Sequence, residues 1–315
     1  MAFTGSPAVT RAVANNFIPE LWSDEVIGAY KKNLVMANVV TKLQHKGKKG
    51  DKIYIPIPAR GAATIKAADT QVTLSAATNT VLGVDIATHY EYSKLIEDIA
   101  EVQALASMRK FYTDDAGYAL ATRVDTDLFA LSEEFQGGTA GGTGAALYEK
   151  AVIGGDGTTL YTGNSDNASD ITDAGIRKMI LTLDNADVPM DNRVMVIPPV
   201  AANELLSINR FTEQQFIGSG DAIKTGKIGS IYGVDVYIST NCPTTGDAVN
   251  LAGNNTDRVG MMLHKDALVF AEQVGVRSQT QYKQEYLGDL FTADTLYGVA
   301  ELRNDAGVAF VVPGT

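Results

Sequence analysis

A long apolar stripe in the first half of the chain constrains the fold more than any other feature. From about residue 98 to 134, apolar side chains recur every three or four positions, the spacing of one helix face. The stripe consists of Ile99, Val102, Leu105, Met108, Tyr112, Ala116, Leu120, Val124, Leu128, Leu131 and Phe135. Roughly 37 residues give a helix of about 55 Å, longer than usual in globular proteins. Because the heptads are not strict, the stripe predicts the rod of a flat domain, with Gly117 as a bend or a close packing point.

Two segments before this helix contain too few large apolar residues to form a core of their own. Residues 1–20 are small and polar and predict an extended arm, and Ser23 caps a predicted helix over about 24–36. Residues 45–93 hold two alternating stretches, DKIYIPIP and TVLGVDIATHYEY, separated by a polar stretch. Proline cannot donate to a sheet ladder, so the first stretch is an edge strand or a lone ribbon. The pattern predicts an elongated hairpin that finds its contacts on another subunit.

The second half of the chain alternates helices and strands. The loop GGTAGGTGAA ends the long helix, and AVIGGDGTTLY predicts a small hairpin that turns at Gly154–Gly157. Asp170 or Thr172 caps a helix that runs to about Asn185, and Pro199 begins another helix. Strands are predicted in RVMVIPP, GVDVYIST, VRSQTQYKQ, DTLYGVAELR and GVAFVVP, while RVGMMLHKDALVFAEQ holds one strand and a short helical or extended piece. Long strands near the C-terminus can pair beside the long helix.

Charge and cysteine content disfavour several classes of protein. The chain has 37 acidic and 26 basic residues and a formal net charge of -11, unlike a protein that grips phosphates with clustered Lys and Arg. An acidic wall would still suit a container, because it does not trap the nucleic acid that it encloses. The single cysteine, Cys242, allows no internal disulfide framework and favours a reducing compartment. The sequence predicts neither a signal peptide nor a membrane-spanning helix.

No arrangement of reactive residues predicts a catalytic, cofactor or metal site. The three histidines are far apart in sequence: His45, His89 and His264. A zinc site would need a cluster of His, Cys and carboxylate side chains. The segment GSGDAIKTGKIG fails as a phosphate loop, because five residues separate Gly220 from Gly226 and Ile228 stands where Ser or Thr should bind magnesium. The oxygen-rich segment GDGTTLYTGNSDNASD lacks the spacing of an EF-hand and is better explained as a solvated loop.

Several stretches, in their order and spacing, resemble the major capsid proteins of tailed bacteriophages. NFIPELWSDEVIGAYKKNLVMANVV resembles the beginning of those proteins, where an arm precedes a short helix, and GDKIYIPIP resembles the first strand of their extension loop. GKIGSIYGVDVYIST and HKDALVFAEQVGVRSQTQYKQEYLGDLFTADTLYGVAELRNDAGVAFVV are similar to their closing half. The resemblance spans nearly the whole chain and is weakest at 136–170.

The resemblance implies an α+β fold of the Hong Kong 97 type, with an axial domain and a peripheral domain built on a long spine helix. The expected division is an N-terminal arm at 1–23, an extension loop at 45–93, a loop or hairpin insertion at 136–170, an axial domain at 171–257, and a peripheral domain that combines 24–44, 94–135 and 258–315.

The resemblance also implies a structural function without catalysis or cofactors. Copies of the chain would assemble into pentamers and hexamers of an icosahedral or prolate shell around double-stranded DNA, without sequence-specific DNA binding. The shell would be assembled in the host cytoplasm and would not involve a membrane. Because only about 20 residues precede the first predicted helix, a separate scaffolding protein is implied, together with a portal protein and a possible cement or decoration protein. Nothing marks Lys66 as a reactive crosslinking residue.

The candidate subunit-interface residues are taken from the arm, the ribbon and the ring-facing loops. They are Arg11, Phe17, Arg60, Ile65, Lys66, Asp69, Phe211, Phe216, Lys224 and Arg277.

Three other functions stay open from the sequence. A bacterial encapsulin-type nanocompartment has the same fold and would enclose enzymes. A hydrolase or nucleotide-binding enzyme is disfavoured by the failed motifs, and a secreted surface protein by the missing signal segment.

Overall fold

The structure is a computed structural model, and it describes residues 35–44, 50–57, 63, 65–66, 68–72, 80–99, 108–135, 153–157, 168–208, 229–245 and 256–314. The helices are α1 (Met36–Val39), α2 (Met108–Ala130), α3 (Asp173–Asn185) and α4 (Pro199–Ser207), with short 3-10 turns at Leu131–Glu134 and Asn304–Ala306. The strands are β1 (Thr41–Gln44), β2 (Lys52–Ile57), β3 (Thr80–Asp85), β4 (Thr88–Glu97), β5 (Ile153–Gly154), β6 (Arg193–Ile197), β7 (Ser230–Ile231), β8 (Val234–Ile238), β9 (Arg258–His264), β10 (Leu268–Lys283), β11 (Gly288–Glu301) and β12 (Gly307–Val312).

A four-stranded sheet of order β1-β10-β11-β4 supports the long helix α2. The pairs β10–β11 and β11–β4 are antiparallel, and β1 runs parallel to β10. Ala116 and Leu120 of α2 pack on Phe291 and Ala293 of β11 in one apolar cluster. The hydroxyl of Tyr297 donates to Asp127 at 2.7 Å, so a polar contact also ties α2 to this sheet.

A six-stranded mixed sheet of order β5-β12-β9-β6-β8-β7 forms the second layer of strands. Strand β6 is parallel to β8 and antiparallel to β9, and α4 lies between β6 and β8 along the chain. Every residue of β6 and β12 is buried, in keeping with the apolar sequences VMVI and GVAFVV; the one charged residue, Arg193, stands at the beginning of β6. Side chains of α1, α2, α3 and α4 join these strands in one large core.

Strands β2 and β3 form a separate two-stranded antiparallel ribbon. Lys52 pairs with Asp85 at the base, and Ile57 pairs with Thr80 at the far end. Val84 and Ile86 anchor the base in a small apolar cluster with Val269 of β10. The elongated hairpin predicted from the sequence is therefore confirmed over these two strands.

The apolar stripe of the long helix is also confirmed where the structure describes it. Ala116, Leu120, Val124, Leu128 and Phe135 are buried. The helix is continuous over Met108–Ala130 and tightens into a 3-10 turn at Leu131–Glu134, while residues 100–107 lie outside the described residues. Among the described residues, a Cβ atom added at Gly117 would meet no atom within 4 Å outside its own helix backbone, so the prediction of a close packing point there is wrong for this part of the chain.

Local capping signals located two helices of the second half correctly. Gly175 donates its amide to the Thr172 hydroxyl at 3.1 Å, and this contact begins α3, so Thr172 and not Asp170 is the cap. Pro199 is at the first position of α4, where its missing amide hydrogen costs no hydrogen bond.

Two strand predictions are wrong in their pairing. The stretch TVLGVDIATHYEY is not one strand, because β3 ends at Asp85 and pairs with β2, whereas β4 begins at Thr88 and pairs with β11. The predicted hairpin around Gly154–Gly157 contains a turn, but Ile153–Gly154 pairs in parallel with β12. In both cases the true partner strand lies far away in the sequence.

Three expected domain limits run through continuous sheets. The limit at 257/258 separates β6 and β8 from β9 and β12, although all four belong to the six-stranded sheet. The limit at 170/171 separates β5 from the same sheet. The limit at 93/94 falls within β4, which belongs to the four-stranded sheet. The expected arm at 1–20 and nearly all of the expected helix over 24–36 lie outside the described residues. No helix among the described residues is long and apolar enough to cross a membrane.

Candidate assembly surface

The β2–β3 hairpin presents apolar side chains to solvent away from its buried base. Alternation directs Ile53 and Ile55 inward, and it directs Tyr54 to the opposite side, where its side chain is 68% exposed. Val81 on the facing strand is 58% exposed, and Ile57 at the far end is also exposed. At the base the Lys52 ammonium lies 3.0 Å from the Asp85 carboxylate. The ribbon is thus held at one end and offers an uncovered apolar surface along its length.

The stretch between the two strands continues this exposure. Ile65, Lys66, Asp69 and Val72 are all exposed, and Ile65 has no side-chain area covered by the rest of the chain. Asp69 has a positive φ of 61°, which an Asp tolerates better than most residues and which marks a turn. Three of the residues predicted for the subunit interface therefore lie on a surface accessible to a partner.

Arg277, the fourth predicted interface residue in the described part, belongs to a charged group on the four-stranded sheet. Its guanidinium donates to both oxygens of Asp294, at 2.7 and 2.8 Å, and the His89 Nε2 atom lies 2.9 Å from the same carboxylate. The Arg277 hydrogen bonds, with a smaller contribution from His89, lower the pKa of Asp294 to about 2. The other predicted residues lie outside the described residues: Arg11, Phe17, Arg60, Phe211, Phe216 and Lys224.

A second exposed apolar group, which the sequence did not predict, lies at the far end of the four-stranded sheet. The turn between β10 and β11 is adjacent to the end of β4, because Gly288 pairs with Glu97. Tyr282 donates its hydroxyl to Asp98 at 2.9 Å across this end. The exposed apolar side chains here are Leu95, Ile99, Tyr282, Tyr286 and Leu287. In the sequence, the three that belong to the turn stand close together in the stretch QYKQEYLGD, which is rich in large residues.

A buried carboxylate connects three parts of the chain behind these surfaces. Asp125 of α2 is only 1% exposed, and it accepts the backbone amide of Met36 at 2.8 Å. Its other oxygen accepts the side-chain amide of Asn241 at 3.1 Å. The contact joins α2 to the first described residues and to the segment that follows β8. Sequence periodicity alone could not find it, because Asp125 neighbours the apolar stripe like any solvated helix residue.

The surroundings of the cysteine and of the possible metal ligands do not favour reactivity in the described part of the chain. Cys242 is buried, and burial raises the pKa of its thiol, which makes the thiolate nucleophile harder to form. Arg258 donates to its backbone carbonyl at 3.0 Å. Among the described residues, no group of three or more His, Cys, Asp or Glu side chains is arranged to hold a metal ion.

Comparison with known proteins identifies the fold and the family. The solved structures similar to this chain include one from Mycobacterium phage Che8, with a TM-score of 0.73, 24% identity, and coverage of 94% of this chain and 97% of that chain. The capsid structure of the cyanophage P-SCSP1u has a TM-score of 0.73 and 19% identity, with 96% and 95% covered. The head structure of Helicobacter pylori bacteriophage KHP40 has a TM-score of 0.71 and 12% identity, with 99% and 100% covered. No curated protein matches the chain.

The model of one protein family, described as phage capsid protein, matches residues 106–310, close to two thirds of the chain. The match extends from the beginning of α2 into β12 and so includes both sheets. Together with the exposed ribbon, the match agrees with a structural role in the virion shell, where copies of the subunit associate. The chain belongs to the phage capsid protein family, as a structural major capsid protein with an α+β fold of the Hong Kong 97 type.

Proposed function

We propose that the chain forms pentamers and hexamers that build an icosahedral or prolate shell around double-stranded DNA. The observation that carries this proposal is the β2–β3 hairpin, which buries only its base and leaves Tyr54, Ile57 and Val81 uncovered. A monomer gains little from exposing such a surface, whereas a neighbouring subunit could bury it. Individually weak contacts suffice in a closed shell, because every subunit makes several of them at once.

The proposed division of the subunit follows the expected one with two changes. The arm at 1–23 and the extension loop keep their roles, but we end the extension loop near Asp85, because β4 belongs to the four-stranded sheet. The peripheral unit is built on α2 and that sheet. The axial unit consists of 171–257 together with β5, β9 and β12, since these strands complete the six-stranded sheet. The rest of 136–170 remains a proposed insertion.

We assign subunit contacts to the predicted interface residues that are described. Ile65, Lys66 and Asp69 would lie on a neighbouring subunit as part of the extension loop, which their exposure permits. Arg277 would contact a neighbouring subunit as part of strand β10. Its guanidinium would not supply a free charge, because it already donates to Asp294.

The partners beyond the shell itself are a separate scaffolding protein, a portal protein and a possible cement protein. Assembly would take place in the host cytoplasm, and the shell would have no catalytic activity. The formal net charge of -11 favours an enclosing wall without sequence-specific DNA binding. An encapsulin-type nanocompartment is not favoured, because the matching family model describes phage capsid proteins.

Electron microscopy of the purified chain, expressed with and without its scaffolding protein, tests this function. We expect closed particles tens of nanometres wide from the parent chain. The double variant Tyr54→Ser/Val81→Ser should lose most particles while its subunits keep the thermal midpoint of the parent. Met190→Ser is the matched control, because Met190 is equally exposed but lies far along the chain from the ribbon. Compact single subunits at high concentration, even with scaffold supplied, would contradict the proposal.

A further inference from the structure

We propose that a cavity at one edge of the six-stranded sheet binds a carboxylate group carried on a short aliphatic stem. The cavity has a volume of about 220 Å³, and Arg258 forms part of its wall. This inference goes beyond the proposed shell-forming function and does not rest on it. It comes from the strands that end at the cavity, from the state of the Arg258 guanidinium, and from the mixture of polar and apolar walls.

Four adjacent strands of the sheet meet the cavity at the same edge. Strands β6 and β8 are parallel, so their carboxyl ends, Ile197 and Ile238, lie side by side. Strand β9 is antiparallel to β6 and β12, so it begins at this edge with Arg258, where β12 ends. Helix α4 lies between β6 and β8 along the chain. In open sheets with such parallel crossovers, ligands bind outside the carboxyl ends of the strands.

Backbone contacts hold the walls of the cavity in place. Ser239, which follows β8, donates its amide to the Ile197 carbonyl at 3.0 Å. Gly314 closes another side, and a Cβ atom there would overlap the Thr256 carbonyl oxygen, so the backbone itself forms this wall. The walls are therefore ordered before any ligand arrives, which lowers the entropic cost of binding.

Arg258 brings a positive charge to the cavity that the described residues do not neutralise. The side chain is half-buried, and its Nη1 atom donates to the Cys242 carbonyl at 3.0 Å. Within the described ranges, no carboxylate forms an ion pair with this guanidinium. Asp125, whose charge acts on Cys242, instead accepts hydrogen bonds from Met36 and Asn241. Charged groups that are partly removed from water usually have a partner of opposite charge, so the cavity calls for an anion.

The walls favour a carboxylate with an aliphatic stem over a compact inorganic anion. A guanidinium with one donor engaged still has donors for a forked contact with two carboxylate oxygens. Thr240 adds a hydroxyl to the polar side, whereas Pro198, Pro199 and Val200 form an apolar side. The two prolines have no amide hydrogen, so the beginning of α4 adds little and the charge comes from Arg258. The volume exceeds the roughly 150 Å³ of a cavity that holds benzene, so a stem fits beside the carboxylate.

Two sources carry this chemistry. One is a free aliphatic carboxylate in solution. The other is an acidic side chain of a second copy, which a chain with 37 acidic residues offers in abundance. Both present the same group to Arg258, and the experiments below separate them.

Titration of the purified subunit with butyrate, before assembly, tests the proposal. Calorimetry at pH 7 and constant ionic strength should show a single site on each chain. Saturating butyrate should raise the thermal midpoint by about 1–3 °C. 1-Butanol has the same stem without the charge, and inorganic phosphate has charge without a stem, so both should bind at least tenfold more weakly. Failure of butyrate to bind, or equal binding of either comparison compound, overturns the proposal.

A charge-removing variant locates the site. Arg258→Gln should weaken butyrate binding at least tenfold, because it removes the charge that faces the ligand. Arg177→Gln is the matched control, since it removes the same charge from the exposed face of α3 and should bind butyrate like the parent. Parent-like binding by Arg258→Gln would show that butyrate binds elsewhere.

If Arg258→Gln does not fold, a carboxylate built into the wall decides. Thr240→Glu places a carboxylate at the cavity, and Thr240→Gln is the neutral control of equal length. Thr240→Glu should block butyrate and melt at a higher temperature than Thr240→Gln at pH 7. The difference should vanish below about pH 4, where the added carboxylate is protonated. Equal midpoints at pH 7 would contradict the proposal.

Assembled particles identify the source of the carboxylate. If an acidic side chain of a second copy enters the cavity, particles should lose the butyrate site that free subunits have. If the ligand is a free molecule, particles should keep one site on each chain. Either result supports the carboxylate site, because both require the free subunit to bind butyrate. A parent chain that binds butyrate but forms no particles would contradict the proposed function alone.

Discussion

Asp125 shows how a single buried residue can fix the relation between distant segments. Its two oxygens accept hydrogen bonds from Met36 and Asn241, which are separated from it by 89 and 116 positions. A buried carboxylate is costly unless each oxygen has donors, and here those donors come from outside its own helix. The orientation of α2 relative to the segment after β8 therefore depends on this side chain.

Replacing Asp125 should destabilise the subunit strongly. Asp125→Ala leaves the buried Met36 amide without this acceptor and removes one of the two acceptors of the Asn241 side-chain amide, so we expect the free energy of unfolding to fall by about 2–4 kcal/mol. Asp125→Asn should cost less, because one oxygen can still accept. Urea unfolding of the unassembled subunit measures both, with Asp114→Ala, an exposed acid on the same helix, as control. If Asp125→Ala and Asp114→Ala lower the free energy of unfolding equally, the hydrogen bonds of Asp125 with Met36 and Asn241 do not stabilise the subunit.

Asp294 should make stability depend on pH in the acid range. Its pKa of about 2 in the folded chain is below the ordinary value of 3.8, because Arg277 and His89 favour the carboxylate. The pairing therefore stabilises the fold at pH above about 4, and this stabilisation is lost as the pH falls from 4 towards 2.

The variant Asp294→Asn removes this pH-dependent contribution. At neutral pH it should lower the free energy of unfolding by about 1 kcal/mol or less, since solvent screens the half-exposed Arg277 and His89. The difference between parent and variant should shrink as the pH falls from 4 towards 2, as measured by urea midpoints. Asp235→Asn, an exposed carboxylate on β8, serves as the control. A difference that is constant over this range would contradict the assignment.

At the scale of elements, the β2–β3 hairpin is positioned by a close backbone approach. Gly298 of β11 lies against the chain where β3 ends, and a Cβ atom there would be 2.1 Å from the Asp85 carbonyl oxygen. Gly298→Ala should therefore displace the base of the hairpin and cost about 1–3 kcal/mol. Limited proteolysis should cut the ribbon faster in the variant. Unchanged stability and cleavage would show that the base is free to shift.

Gly117→Ala provides the matched glycine substitution within α2. No atom of the described residues outside the backbone of α2 lies within 4 Å of an added Cβ there, and alanine favours helix by about 0.5–1 kcal/mol over glycine. We expect the thermal midpoint to rise. If it falls instead, Gly117 supports a bend in the helix, the other role predicted for it from the sequence.

Local signals in the sequence predicted those elements whose determinants are themselves local. The cap at Thr172, the proline at the beginning of α4 and the apolar stripe of α2 are set by residues within a few positions, and all three are confirmed. Pairing could not be predicted in the same way. The alternation of 80–92 fits one strand as well as two, and only the distant β11 decides that β4 belongs to another sheet.

The candidate assembly surface could be predicted only in the ribbon, where the alternation of side chains along a strand indicates which of them are exposed. The ribbon was identified from its thin apolar content, and its exposed side agrees with that interpretation. The exposed end of the four-stranded sheet was missed, because Tyr286 and Leu287 look like core residues in sequence. Only the register of β10, β11 and β4 shows that nothing in the described chain covers them.

At the scale of the whole molecule, net charge should govern the rate of assembly. Subunits with a formal charge of -11 repel one another at low ionic strength. Raising NaCl from about 20 to about 200 mM shortens the screening length from roughly 20 Å to roughly 7 Å. We therefore expect assembly, followed by light scattering, to accelerate severalfold.

Sodium sulfate at equal ionic strength is the control, because sulfate also strengthens apolar burial. If both salts accelerate assembly to a similar extent, the effect is due to screening of the repulsion between subunits. A slower assembly at higher salt would show instead that complementary ionic contacts between subunits dominate.

The position of β12 has a consequence for the timing of biosynthesis. This strand is the last one described, yet it lies inside the six-stranded sheet between β5 and β9, with all its residues buried. The ribosome must therefore translate through Val312 before the interior can close, which takes about 15–60 s at roughly 5–20 residues per second. A chain that is still being translated therefore cannot offer a completely folded subunit to other copies on the same polysome. Translation itself thus delays premature oligomerisation.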